Sequence, residues 1–254
     1  MTRRTDPATR TDPATRLRRM HDRLVQAYGP QHWWPAETAF EMILGAYLTQ
    51  NTSWKAAEGS LANLREAGTL TLDGLRAIRL DRLQQLVRPS GFFTRKAPAL
   101  KAFVAMLDEE FSGSLDVLAA APTAALRKRL LALPGVGPET ADAILLYALG
   151  HPVPVADEYL RRIAERHQLL NPTASRNQYD SLADLTRRAF AADPVAQHAQ
   201  LFNEFHALTV AVGKTHCGRT PRCEGCPLAF DLRNAKGNAS GNGSAHSAAR
   251  GLKA

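Results

Sequence analysis

Apolar positions along this chain recur at three- and four-residue spacing. Phe40, Ile43, Leu44, Tyr47 and Leu48 would line one face of a helix opening after Thr38, and Ser53 is placed to cap the next one. The same pattern predicts helices over 54–66, 73–88, 94–110 and 123–132, then near 158–168, 176–191 and 198–212, separated by Gly, Pro or Ser signals. A further helix begins near Leu17 and ends before Gly29-Pro30. Few segments alternate with period two, so the predicted fold class is all-α. The two ends read differently. Thr-Asp-Pro-Ala-Thr-Arg occurs twice, at 5–10 and 11–16, and so polar and proline-punctuated a repeat predicts a disordered arm over 1–16. Past Arg233 the composition falls to Asn, Gly, Ser and Ala, which predicts a disordered tail over 233–254.

One stretch departs from simple periodicity. Leu133-Pro134-Gly135-Val136-Gly137 precedes Pro138 and Glu139, which suit the first turn of a helix whose core face would be Ala141, Ile144, Leu145 and Ala148. Glycines at 135 and 137 permit left-handed or otherwise strained backbone that turns amide N–H groups outward, and amides at a helix start form an anion site. A lone Gly-x-Gly more often just joins two helices. Upstream, however, Pro122 and Thr123 start a short helix with Leu126, Leu130 and Leu131 inward and Arg127, Lys128 and Arg129 outward, so the unit reads helix, Gly hairpin, helix.

Charge and size narrow the partners. With 32 Lys and Arg against 24 Asp and Glu the net charge is +8, which suits a polyanion, although it also fits a ribosome-bound or merely solubilised protein. A chain of 254 residues can bury a core as one large domain or two small ones. No apolar run approaches bilayer-spanning length, and the Arg-rich N-terminus lacks a signal peptide's apolar core, so the expected location is the cytoplasm or nucleoid with no membrane partner. All 3 cysteines fall between 217 and 226, which reads as a ligand set or the remnant of one.

The helix, Gly hairpin, helix unit, followed about twenty residues on by Asp157 in Val155-Ala156-Asp157-Glu158-Tyr159-Leu160-Arg161-Arg162, resembles the helix-hairpin-helix DNA glycosylases of the endonuclease III superfamily. The resemblance extends over roughly Trp33 to Pro227 and is nearest to the subgroup that includes 3-methyladenine glycosylases. It implies a two-lobed fold with a cleft between lobes: a helical barrel domain over 36–154, and a second domain from 17–35 plus 155–232. The implied partner is double-stranded DNA carrying a damaged base, met by a monomer. Gly135, Val136, Gly137 and Thr140 would then bind the DNA backbone.

Breaking an N-glycosidic bond develops positive charge on the sugar, which an ionised carboxylate beside the anomeric carbon stabilises. Asp157 is the candidate, although an Asp ahead of an apolar-periodic run is also an ordinary helix N-cap. Position 139 departs from the bifunctional pattern of the family, which carries a lysine there to attack the sugar and form an imine; Glu139 cannot. Its alternative is favourable placement in a helix first turn. Lys214 could substitute in the pocket or sit on the surface. The resemblance further implies that Gln50, in Leu48-Thr49-Gln50-Asn51-Thr52, fills the gap left by a flipped base, with a solvated helix end as the alternative. Trp33, Trp34 and Trp54 would hold that base, or else serve as core anchors. Ser90-Gly91-Phe92-Phe93 looks like the family's turn into a helix, with Arg95 and Lys96 on a solvated face.

Cys217, five residues, Cys223, two residues, Cys226 approximates the family's four-iron cluster loop, but the first gap is one residue short and the fourth cysteine position holds Leu232. His216 would restore the gap, leaving a [4Fe-4S] cluster, a mixed His/Cys zinc site or a metal-free remnant. The reading reached is a monofunctional base-excision glycosylase acting on damaged bases, with N-alkylated purines expected because a cationic base gains from an indole face and leaves without a general acid. The alternatives are a bifunctional oxidised-pyrimidine glycosylase and lyase, and a catalytically silent DNA-binding protein.

Overall fold

The structure, a computed structural model, describes residues 12–31, 33, 36–170 and 178–236. Among the described residues every regular element is helical. The first copy of the N-terminal repeat, Trp34, and the tail from 237 onward lie outside them.

The arm expected over 1–16 is corrected at its C-terminal end. Helix α1 spans Pro13–Tyr28, and the second repeat copy is its start: Asp12 Oδ2 accepts from the Ala14 and Thr15 amides at 3.0 and 3.1 Å, with Pro13 in the first helical position. Asp-Pro is a helix-start signal as well as a turn signal, and Ala14, Leu17, Met20, His21 and Leu24 are buried at helical spacing. α2 (Ala39–Leu48), capped by Thr38, is buried over nearly its whole surface and forms the centre of the fold. α3 (Trp54–Glu66) has its Ser53 cap.

The single helix expected over 73–88 is instead α4 (Leu72–Ala77), α5 (Leu80–Leu86) and a 3-10 turn at Arg88–Ser90. Extended backbone at Ile78 and Arg79 makes the break, which apolar spacing alone does not register. α6 (Phe93–Phe111) follows from Phe92, a bulky residue in the left-handed region at φ 45°. Lys96 is corrected from solvated to buried: its Nζ donates to the carbonyls of Leu48 at 2.8 Å and Ser90 at 2.7 Å, tying the end of α2 to this turn. Burial lowers its pKa to about 8.

α7 (Leu115–Ala119) and α8 (Thr123–Leu131) lead into the hairpin. α9 (Pro138–Ala143) continues as a π turn over Ile144–Ala148, in which the Leu149 amide donates to the Ile144 carbonyl at 3.2 Å. The one-sided core face expected here is not what forms; Thr140 through Tyr147 are all buried, because α2 packs on one side and α12 on the other. Arg127 is not outward either. It donates to both oxygens of the fully buried Asp142, at 2.6 and 2.9 Å, and Tyr179 donates to the same carboxylate at 2.9 Å, locking the hairpin helices to α11.

α10 (Glu158–Arg166), α11 (Gln178–Ala189), α12 (His198–Thr215) and α13 (Ala229–Lys236) complete the chain. α1 packs on α11 and α12, and α10 packs on the same two; α2, α3 and α6 form the other helical group. The fold is two-lobed, and the π turn packs against α12 while the hairpin helices are tied to α11 through Asp142 and Tyr179. α10 approaches α12 so closely that a Cβ at Gly213 would stand 2.1 Å from the Tyr159 ring, so only glycine fits there.

Candidate active site

Asp157 ends a buried extended segment, Val153 through Ala156, and begins α10. Its Oδ1 accepts from the Leu160 amide at 2.8 Å, so the capping role is real. The other oxygen is not spent on the cap. Oδ2 lies 3.4 Å from Nε2 of His206 on α12, and the Asp157 residue is 7% exposed. A capped carboxylate is a rigid one.

Glu139 stands in the first turn of α9 with its side chain open to solvent yet surrounded by protein on most sides. That surrounding raises its carboxyl pKa, the Asp157 charge raises it further, and His206 works the other way. Glu139, Asp157 and His206 therefore share one electrostatic neighbourhood.

The hairpin is only partly as expected. Gly135 takes φ +74°, the left-handed conformation that favours glycine. Val136 is corrected: it is buried, and its amide donates inward to the Leu133 carbonyl at 3.3 Å. Thr140 is buried too, and its hydroxyl accepts from Gln50 Nε2 at 2.7 Å, so its side chain faces Gln50. Gly137 caps α9 at φ −95°, ψ 177°, a conformation open to any residue, and a Cβ there would meet nothing within 4 Å. Gln50 is not a solvated helix end; its amide also donates to the Gly135 carbonyl at 2.9 Å.

Trp33 lies half-buried, its ring 5.4 Å from that of His206 and 6.1 Å, edge-on, from that of Tyr147. Beside it opens a concavity of about 310 Å³ lined by Trp33, Leu146, Ala199, Gln200, Asn203 and Glu204. Trp54 opens α3, half-buried against the core, and does not line that concavity. Trp34 lies outside the described residues. Lys214 is exposed and lines a different concavity, of about 340 Å³, with Arg219 and Arg222. Sequence reasoning missed Tyr147 and His206, whose signal was a single histidine on an otherwise apolar helix face.

A family profile for HhH-GPD superfamily base excision DNA repair proteins matches residues 44–188. The chain belongs to this superfamily. A Methanocaldococcus jannaschii protein, named provisionally as a DNA repair glycosylase, is 37% identical to this HhH-GPD protein over 81% of its length and 90% of the relative's. The H. pylori 3-methyladenine DNA glycosylase MagIII, solved bound to 1,N6-ethenoadenine, superposes with TM-score 0.67 at 29% identity, covering 81% of this chain and 98% of that one. An endonuclease III–DNA complex shares the fold at TM-score 0.70 and 22% identity, over 89% and 98%.

The cysteine segment of this HhH-GPD protein supplies three of the four thiolates that a four-cysteine cluster takes. Among the described residues no three His, Cys, Asp or Glu side chains form a metal-holding group. Leu232 offers no donor, His216 Nδ1 lies 3.0 Å from the Arg222 carbonyl, and Cys217 Sγ accepts from Arg166 at 2.9 Å. Burial, then the nearby Cys217 and Cys223, raise the Cys226 thiol. Arginines hold this loop: Arg162 donates to the Cys217 carbonyl at 3.0 Å and Arg166 to that of Gly218 at 2.7 Å. α13 is anchored separately, through buried Asp231, which accepts from Arg16 Nε at 2.9 Å and lies 2.9 Å from His167 Nδ1.

Proposed function

We propose that this chain is a monofunctional DNA glycosylase that hydrolyses the N-glycosidic bond of damaged purines, N-alkylated ones preferred. The observation that carries the reading is at the centre of the site: a rigid, buried carboxylate at Asp157 with one oxygen uncommitted to the cap, in the same electrostatic neighbourhood as Glu139, where imine chemistry would need an amine.

In this reading the open backbone at Gly137 and the first-turn amides of α9 take a DNA phosphate, since a helix's first N–H groups have no partner within it. Gln50 leaves Gly135 and Thr140 to fill the vacated stack. The flipped base rests against Trp33, where a cationic ring gains roughly 0.5 to 2 kcal/mol that a neutral base lacks. Asp157 stabilises the positive sugar and orients water for attack, while the alkylated base departs without a general acid. The likeness to a 3-methyladenine glycosylase supports the choice of lesion. The placement of two lysines supports this: Lys96 is held by two carbonyls, and Lys214 lines a separate concavity.

A panel of duplexes, each with one lesion, tests the proposal by strand cleavage with and without hot alkali. Cleavage of alkylated-purine duplexes only after alkali is expected. Cleavage without alkali would mark a lyase, and no cleavage of any duplex would mark a silent DNA-binding protein.

A further inference from the structure

Two buried groups stand behind Asp157 that the steps above do not use. His206 is 6% exposed; its Nε2 faces Asp157 Oδ2 at 3.4 Å, and its Nδ1 meets the Tyr147 hydroxyl. Tyr147 lies in the π turn of residues 144–148, which packs on α12. Such turns are rare and concentrate at functional sites, because the extra residue re-aims the side chains it carries. The Trp33 ring covers both groups. The charged side chains acting here are Asp157 and Glu139 near His206, and Asp157 and Glu204 near Tyr147.

The arrangement sets a proton. Burial, then the carboxylates of Asp157 and Glu204, oppose ionisation of Tyr147, so the phenol keeps its hydrogen, and Nδ1 of His206 is an acceptor within its reach. An imidazole whose Nδ1 accepts from a phenol carries its N–H on Nε2, the atom that faces Asp157. A separation of 3.4 Å is longer than a formed hydrogen bond, and contacts of this kind tighten when substrate loads.

We infer that Tyr147 and His206 are a positioning pair for Asp157: Tyr147 fixes the tautomer of His206, and His206 Nε2–H holds Oδ2 so that the carboxylate is aimed at the sugar. The inference rests on the reading of Asp157 as the reacting carboxylate. A group that only fills space could be replaced by one of similar size; a donor could not.

Two measurements test it. The first compares single-turnover base release and affinity for an abasic-analogue duplex among wild type, D157N, H206L, H206Q and Y147F. His206→Leu is expected to slow release by about 100-fold, the scale of a misplaced catalytic group, with duplex affinity unchanged. His206→Gln, which keeps a donor near the Nε2 position, recovers most of the rate, and Tyr147→Phe falls between. H206L at the wild-type rate, or H206Q and H206L equally slow, would overturn the inference. D157N at the wild-type rate would instead remove the reading of Asp157 itself. The second measurement needs no activity: long-range 15N–1H correlation of His206 at pH 9, where the singly protonated ring is read, should give a protonated Nε2 and a bare Nδ1 in the wild type, and a mixture in Y147F. A protonated Nδ1 in the wild type would overturn the assignment.

Discussion

Gln50 donates its side-chain amide to the backbone carbonyl of Gly135 at 2.9 Å, joining the end of α2 to the hairpin across 85 residues of chain. The resting position of the proposed gap-filling side chain is therefore on the hairpin proposed to bind phosphate. Hairpin engagement and base extrusion become linked through one amide. Gln50→Ala should weaken affinity for an abasic-site duplex more than for an intact one, since only the former has a gap to fill. Fluorescence anisotropy with the two duplexes checks this; equal weakening would assign Gln50 to the hairpin alone.

The two hairpin glycines should separate. Gly135→Ala places a side chain at φ +74° and should cost about 1 to 2 kcal/mol of stability. Gly137→Val meets open space and an ordinary conformation, so the folded protein should tolerate it within about 1 kcal/mol. Its binding to every duplex, damaged or not, should nonetheless fall, because the space it fills is where the proposed phosphate contact lies. Urea melts together with binding to undamaged DNA distinguish the two; unchanged binding in Gly137→Val would move the phosphate site elsewhere.

Much of this site was legible in sequence because local rules and tertiary demands coincide there. Gly135, Pro138 and the Asp157 cap each obey a short-range signal and occupy the predicted place. What stayed hidden depends on partners distant in sequence. Lys96 reads as a solvated residue until the carbonyls of Leu48 and Ser90 are brought to it. Val136 sits between two glycines yet turns inward, because its side chain belongs to the core. His206 lies 49 positions after Asp157, since α11 intervenes, and no spacing rule connects them. The π turn that carries Tyr147 leaves no mark in apolar periodicity.

Position 139 separates two chemistries. With a carboxyl there, borohydride should trap little covalent adduct with an abasic duplex. Glu139→Lys should raise the trapped fraction well above wild type by supplying an amine beside Asp157, scored on denaturing gels. Efficient trapping by the wild type would require another nucleophile and contradict the monofunctional reading.

The anchoring of α13 should be sensitive to acid. Burial alone would raise the Asp231 carboxyl, but His167 and Arg16 outweigh it and hold the carboxyl at about 2 against an ordinary 3.8. A carboxyl depressed on folding adds stability that is full above its unfolded pKa and lost as pH falls through the folded one. The loss should therefore run from about pH 4 to pH 2 and amount to about 2 kcal/mol. Asp231→Asn leaves Arg16 without its buried partner and should cost about 3 to 5 kcal/mol at neutral pH. Urea unfolding of both proteins at neutral and acidic pH measures these; an identical pH profile for the two would deny Asp231 the role.

The central claim is tested most directly by the bases released from methylated duplex DNA, separated by chromatography, for wild type and Asp157→Asn side by side. The substitution keeps shape and capping ability but removes the charge, so duplex binding and melting temperature should hardly change while release falls by about 100-fold or more. The account predicts 3-methyladenine or a related N-alkylated purine in the wild-type supernatant and almost none from Asp157→Asn. No alkylated purine from the wild type, with thymine glycol excised instead, or equal release by the two proteins, would contradict it.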